Sequence, residues 1–159
     1  MTQIRIGQGF DVHPWAPERP LMLAGVRFDG EAGLQGHSDG DAVCHAVADA
    51  LLGAAVLGDV GAQFPDTDPA FAGIAGPDLL ARTVVLLRDA GFVPVGIDLT
   101  VICERPAVAP RRDQMRAVLA AALNLPIGRV SVKATRPEGL GFSADGVGCL
   151  ALATISEIG

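Results

Sequence analysis

The chain has 159 residues, a length for a single domain spanning 1–159, and its 12 Lys and Arg against 18 Asp and Glu leave a formal net charge of −6. An acidic surface repels a polyphosphate backbone, so nucleic acid is excluded as an expected partner. Half the residues are hydrophobic and 19% are charged, which excludes a disordered chain.

No apolar run reaches the ~20 residues of a membrane span, and Met1 to Phe10 lacks a basic segment followed by an apolar one, so no membrane partner and a cytoplasmic protein are expected. Cys44, Cys103 and Cys149 are widely spaced, which fits neither a disulfide framework nor a thiolate zinc cluster. They read as small buried hydrophobes.

In chain order, Ile4 to Phe10 alternates at period two as a strand does, and Leu21 to Phe28 forms a second apolar run. Ser38 and Asp41 resemble a capping box, and Val43, Val47, Leu51, Ala54 and Leu57 follow at helical spacing, predicting a helix from near Asp39 to just before Gly58. Pro65 to Pro77 is the longest stretch without periodicity, and loops of that length are often functional. Gly76-Pro77-Asp78 opens a second helix that stops at Gly91. Ile97, Leu99, Val101 and Cys103 alternate as a strand. Pro110 opens a third helix, stopped by Asn124 and Pro126, and strands follow near Val130 to Thr135 and Val147 to Ser156. The expected fold is α+β, a two-layer α/β sandwich with a mixed sheet and about three main helices.

All three histidines, His13, His37 and His45, fall in the first third of the chain beside acidic residues. Asp11 and His13 are two apart, so on an extended backbone they project to the same side. His45 lies in the first turns of the predicted helix, with Asp41 and Asp49 one turn away on either side, and either carboxylate could orient its imidazole. Asp11, His13 and His45 together would form an open three-ligand zinc site of the catalytic kind. By spacing alone, histidines that are simply at the surface or satisfied in the core are the commoner case. The run Gly36 to Asp41 offers either an anion site at a helix start or a plain cap. Gly58 to Pro69 offers either a functional acidic loop or a solvated turn with Asx caps. Lys133 to Phe142 reads as a polar loop after a strand.

Taken in order, R-I-G-Q-G-F-D-V-H from Arg5, G-H-S-D-G-D-A-V-C-H from Gly36, D-A-L-L-G-A-A from Asp49 and L-G-D-V-G-A-Q-F-P-D-T-D-P from Leu57 resemble the 2-C-methyl-D-erythritol 2,4-cyclodiphosphate synthase family of non-mevalonate isoprenoid biosynthesis, over nearly the whole chain. The resemblance implies a metal-dependent cyclase, a CMP-releasing phosphorus–oxygen lyase. Its substrate would be 4-diphosphocytidyl-2-C-methyl-D-erythritol 2-phosphate, whose 2-phosphate attacks its own β-phosphate.

Asp11, His13 and His45 match the family's zinc ligands, and Glu138 matches the ligand of a Mg²⁺ or Mn²⁺ that bridges the substrate diphosphate. His37 matches a transition-state-stabilising residue with Ser38 beside it on the phosphate side. Where the family carries a second such group, a hydroxyl after Thr135, this chain has Arg136, and a guanidinium binds phosphate strongly. Asp59, Gly61, Phe64, Asp66 and Asp68 match the pocket for the sugar alcohol and ribose. Cys103, Pro106, Ala107, Val108 and Ala109 match a loop that holds cytosine largely by its main chain. Phe142 completes the implied substrate contacts. The resemblance further implies a homotrimer with active sites between subunits. A zinc-dependent phosphohydrolase would use the same metal ligands with water as nucleophile.

Overall fold

In the computed structural model, which describes residues 3–141 and 145–159, the alternation begun at Ile4 continues as one long strand, β1 (Ile4–Leu23). The chain turns at Ala24 and Gly25, at φ of 52° and 71°, and returns antiparallel as β2 (Val26–Leu34). The apolar run Leu21 to Phe28 is therefore the two arms of a hairpin, not one strand: Leu21 pairs with Phe28 and Leu23 with Val26. Residues paired across the turn face the same side, so Leu21, Leu23, Val26 and Phe28 all point inward and all four side chains are buried.

The first long helix, α1, spans Ala42–Ala54, starting later and ending earlier than the periodicity suggested. Its cap is Asp41, whose carboxylate accepts from Val43 N–H and Cys44 N–H and also from Ala24 N–H and Gly25 N–H in the hairpin turn. Ser38 does not cap the helix. Gly40 at φ +76° turns the chain between them, so the nearest acceptor to the free amides is Asp41. A short α2 (Val60–Gln63), a 3₁₀ turn at Pro69–Phe71 and α3 (Gly76–Asp89) follow, then β3 (Phe92–Ile102). The third long helix opens on a 3₁₀ turn at Ala109–Arg111, so α4 proper is Arg112–Leu123, ended by Asn124 in the left-handed region. The chain closes with β4 (Val130–Thr135) and β5 (Gly146–Glu157).

The sheet has five strands in the order β2-β1-β5-β3-β4. The β3–β4 pair is parallel, bridged by α4, and the other pairs are antiparallel, so the expected α+β mixed sheet with three main helices is what forms. α1 lies directly on β1 and β5. The approach is close because β1 offers glycine there: a Cβ at Gly9 would stand 1.8 Å from the Ala46 carbonyl oxygen, and one at Gly7 2.0 Å from that of Ala50.

The other face of the sheet carries no helix among the described residues. Ile6, Phe10, Leu150 and Leu152 are exposed on its β1–β5 half, and the β3–β4 half is polar, with Lys133 Nζ 2.6 Å from Asp98 Oδ2. No helix of the described residues is long and apolar enough to cross a membrane.

Candidate active site

The alternation that turns Gly7 and Gly9 toward α1 also turns Asp11 and His13 toward it, and His45 comes to meet them from the first turns of that helix. Three donor atoms converge. Asp11 Oδ2 stands 2.7 Å from His13 Nε2 and 3.2 Å from His45 Nδ1, and the two nitrogens are 3.3 Å apart. Ligands about 2.0–2.1 Å from a tetrahedral Zn²⁺ lie about 3.3 Å from one another; the two separations at His45 match that, and the Asp11–His13 pair is closer because it is in direct hydrogen-bond contact. The two histidines present these nitrogens to each other as well as to one carboxylate oxygen, an arrangement of lone pairs that a cation satisfies. This Asp-His-His group could hold a metal ion, and it is the one such cluster found among the described residues.

Electrostatics within the group are self-reinforcing. Burial disfavours ionised Asp11, but hydrogen bonds to His13 and His45 outweigh it and hold the carboxyl below its usual range. Burial likewise disfavours charged His45, and the Asp11 carboxylate overrides it and pushes the imidazole up. Neither acidic neighbour of His45 on the helix orients it. Asp41 is consumed by the cap, and Asp49 Oδ1 accepts from Val60 N–H at 2.7 Å at the start of α2. The far nitrogen, Nε2, meets Ser38 Oγ at 2.9 Å instead. Seven residues of separation across an irregular loop gave no periodic signal for that contact.

The metal group borders a cleft of about 280 Å³ lined by His37, Ser38, His45, Gly61, Phe64 and Asp66, joined by the apolar side chains of Val60, Phe71, Ile74 and Leu79. Phe64 packs edge-on to Phe71, with ring centroids 5.3 Å apart. Sequence reading missed the Phe71, Ile74 and Leu79 wall because it mixes a loop with a helix start. Asp59 and Asp68 do not line the cleft; their carboxylates cap α2 and the following 3₁₀ turn, accepting from Ala62 N–H at 2.8 Å and Ala70 N–H at 2.9 Å. In that acidic stretch Asp59 and Asp68 are Asx caps, whereas Gly61, Phe64 and Asp66 line the cleft.

A second cleft, of about 210 Å³, is lined by Cys103, Pro106, Ala107, Val108, Ala109, Thr135 and Arg136, with Glu104, Arg112 and Ala134. Arg112 was not foreseen; it comes from α4 and no linear motif contains it. The sheet register separates this cleft from the metal group. Asp11, Cys149, Val101 and Ala134 stand in one row on β1, β5, β3 and β4, which puts Asp11 and Ala134 about 14 Å apart at the usual strand spacing. Glu138 is exposed just beyond, at φ +53°, and it is not part of the Asp-His-His group. Phe142 lies outside the described residues.

Fold and site together define a small α+β protein with an Asp-His-His group that could hold a metal ion, at the edge of a largely apolar cleft. Residues 4–156 match the model of the YgbB family, and the chain belongs to that family. It is 50% identical over 156 residues to the 2-C-methyl-D-erythritol 2,4-cyclodiphosphate synthase of Salinibacter ruber, covering 97% of this chain and 99% of that protein. Among solved structures, it superposes with a TM-score of 0.93 and 38% identity on the bifunctional IspDF of Campylobacter jejuni, where 99% of this chain matches 43% of that longer one. It also superposes on a 2C-methyl-D-erythritol-2,4-cyclodiphosphate synthase bound to CDP, with a TM-score of 0.88 and 35% identity over 95% of this chain and 99% of that one.

Proposed function

We propose that the chain is a single cyclodiphosphate synthase domain over residues 1–159, acting in the cytoplasm on 4-diphosphocytidyl-2-C-methyl-D-erythritol 2-phosphate to give 2-C-methyl-D-erythritol 2,4-cyclodiphosphate and CMP. The observation that carries this reading is the convergence of Asp11, His13 and His45 on one point beside the His37 and Ser38 cleft. The relatives' names supply the product, and the CDP-bound neighbour supports a cytidine diphosphate ester as substrate.

The reaction needs no nucleophile from the protein. An oxygen of the 2-phosphate bonds to the β-phosphorus while the bond from that phosphorus to the bridging oxygen of CMP breaks, and no water is consumed. Catalysis then consists of positioning two anionic groups and offsetting their charge. Zn²⁺ held by Asp11, His13 and His45 would polarise a phosphoryl oxygen and neutralise charge there. Glu138, whose carboxylate has no hydrogen-bond or ion-pair partner among the described residues, would be the oxygen donor for Mg²⁺ or Mn²⁺, an ion that takes few protein ligands and would offset the charge of the diphosphate. His37 and Ser38 hydrogen-bond the phosphates at the rim of the cleft. Gly61, Phe64 and Asp66 shape the space for the sugar alcohol, and Asp59 and Asp68 fix the turns on either side. Cys103 to Ala109 holds cytosine, and Thr135 and Arg136 face the diphosphate, with Arg136 opposing the charge that builds in the transition state.

Within one subunit the sheet register sets the cytidine cleft about 14 Å from the metal group; in the homotrimer of this reading the cytidine cleft of one subunit faces the metal group of the next. The uncovered apolar strip of Ile6, Phe10, Leu150 and Leu152 supports the same assembly, because such a strip marks an interaction surface.

The test is CMP release by the purified protein, with phosphorus NMR of the other product. Cyclic diphosphate, lost with a chelator and in His45→Ala, is the expected result. An open-chain bisphosphate would make the protein a hydrolase, and binding without turnover would remove the enzyme reading.

A further inference from the structure

Three successive carbonyls around His37 are tied down although the segment from Gln35 to Gly40 belongs to no helix or strand. The His37 carbonyl accepts from Gly73 N–H at 3.1 Å. Those on either side, of Gly36 and Ser38, both accept from the guanidinium of Arg19, the first at 2.7 Å. Arg19 reaches them because β1 loses its register at this point: Ala16 pairs with Gly33 and Pro20 with Ala32, leaving Pro17, Glu18 and Arg19 without partners in β2. An irregularity of this kind re-aims a side chain. Gly33 makes room for it, since a Cβ there would stand 2.4 Å from the Arg19 carbonyl oxygen and 2.6 Å from that of Pro20.

We infer that Arg19 is a positioning residue for the metal centre, acting through Ser38 on His45. The inference rests on the reading of Asp11, His13 and His45 as metal ligands. Arg19 fixes the Ser38 backbone, Ser38 Oγ stands 2.9 Å from His45 Nε2, and the other nitrogen of that ring faces Asp11 Oδ2 at 3.2 Å. Partners of this kind set ring orientation and tautomer in metal-binding histidines. The same guanidinium brackets His37, so one side chain places both a ligand's support and the rim of the cleft. A planar fork holds two carbonyls that flank a residue at a fixed spacing; an ammonium on a flexible stem is a point donor and does not enforce that spacing.

The test uses the full-length protein, stripped of metal and titrated with Zn²⁺ and with Co²⁺ against a competing chelator, for wild type, Arg19→Ala, Arg19→Lys, Ser38→Ala and the Arg19→Ala/Ser38→Ala pair. Arg19→Ala is expected to bind Zn²⁺ about 10- to 100-fold more weakly, to change the visible band of the Co²⁺-saturated protein, and to lower kcat for CMP release more than it alters KM. Arg19→Lys should follow Arg19→Ala, and it keeps the test open if the alanine variant fails to fold. If Arg19 acts through Ser38, the double variant loses no more metal affinity than the weaker-binding single one. Additive losses, or an Arg19→Lys protein with wild-type metal affinity and Co²⁺ band, would overturn the inference. A wild-type protein that binds neither ion would instead overturn the metal reading beneath it.

Discussion

Ser38 Oγ lies 2.9 Å from His45 Nε2, on the opposite edge of the ring from the nitrogen that meets Asp11. Removing the hydroxyl leaves the imidazole free to rotate and choose its tautomer, without touching the core. Ser38→Ala should therefore weaken Zn²⁺ binding about 10-fold or more while the melting temperature moves by no more than a few degrees. Chelator competition and calorimetry on one preparation measure both, and unchanged metal affinity would leave Ser38 with no part in holding the ring.

Glu138 is not part of the Asp-His-His group, so the two metal sites proposed above should be separable by mutation. Glu138→Gln keeps the shape and loses the charge a hard cation requires. Turnover should then need a higher Mg²⁺ or Mn²⁺ concentration, with bound zinc unchanged by elemental analysis. An identical titration curve would count against Glu138 as a ligand.

The pH dependence of metal loading follows from the shifts at the site. In the metal-free protein, His45 is held up, chiefly by Asp11 working against burial, so its stabilising contribution is complete below the ordinary imidazole value and fades as pH rises through its own. Asp11 is held down by the histidines against burial, so its contribution is complete above the ordinary carboxylate value and fades at lower pH. The pair thus stabilises the metal-free protein most between about pH 4 and 6.5. Within that window Zn²⁺ must expel the His45 proton, and an indicator dye should record proton release at pH 6 that diminishes by pH 8.

Gly9 and Gly30 make a controlled pair. Alanine at Gly9 puts a Cβ 1.8 Å from the Ala46 carbonyl oxygen, whereas at Gly30 nothing lies within 4 Å and only a φ of +79° opposes it. Gly9→Ala should cost at least about 3 kcal/mol of stability or prevent folding, and Gly30→Ala about 1 kcal/mol. Denaturant unfolding of the two variants checks the order.

All three cysteines are free and buried. Burial pushes the Cys103 thiol up to about 11, with Glu104 adding to it, so at pH 8 about one molecule in a thousand carries the thiolate there. Cys44 and Cys149 are driven up further by burial. A thiol reagent at pH 8 should react slowly with the native protein and with all three thiols once it is unfolded. Rapid native labelling at Cys103 would show that the second cleft opens.

The sequence by itself determined most of the elements and the three members of the Asp-His-His group. Period-two alternation from Ile4 carries Asp11 and His13 to one side whatever they pack against, and helical spacing from Val43 exposes His45 on a known face, because both patterns are local properties of the backbone. The hairpin hidden in Leu21 to Phe28 escaped it because apolar Ala24 sits in the turn itself and carries the run through it. What only the tertiary structure decided is which groups meet. The Gly9 to Ala46 approach brings α1 down onto β1 and so carries His45 to Asp11. Asp41 is taken by the cap, and the orienting contact passes to Ser38. The sheet order holds Arg136 three strands from Asp11. Each outcome depends on contacts between residues distant in the chain, and spacing along a sequence carries no term for those.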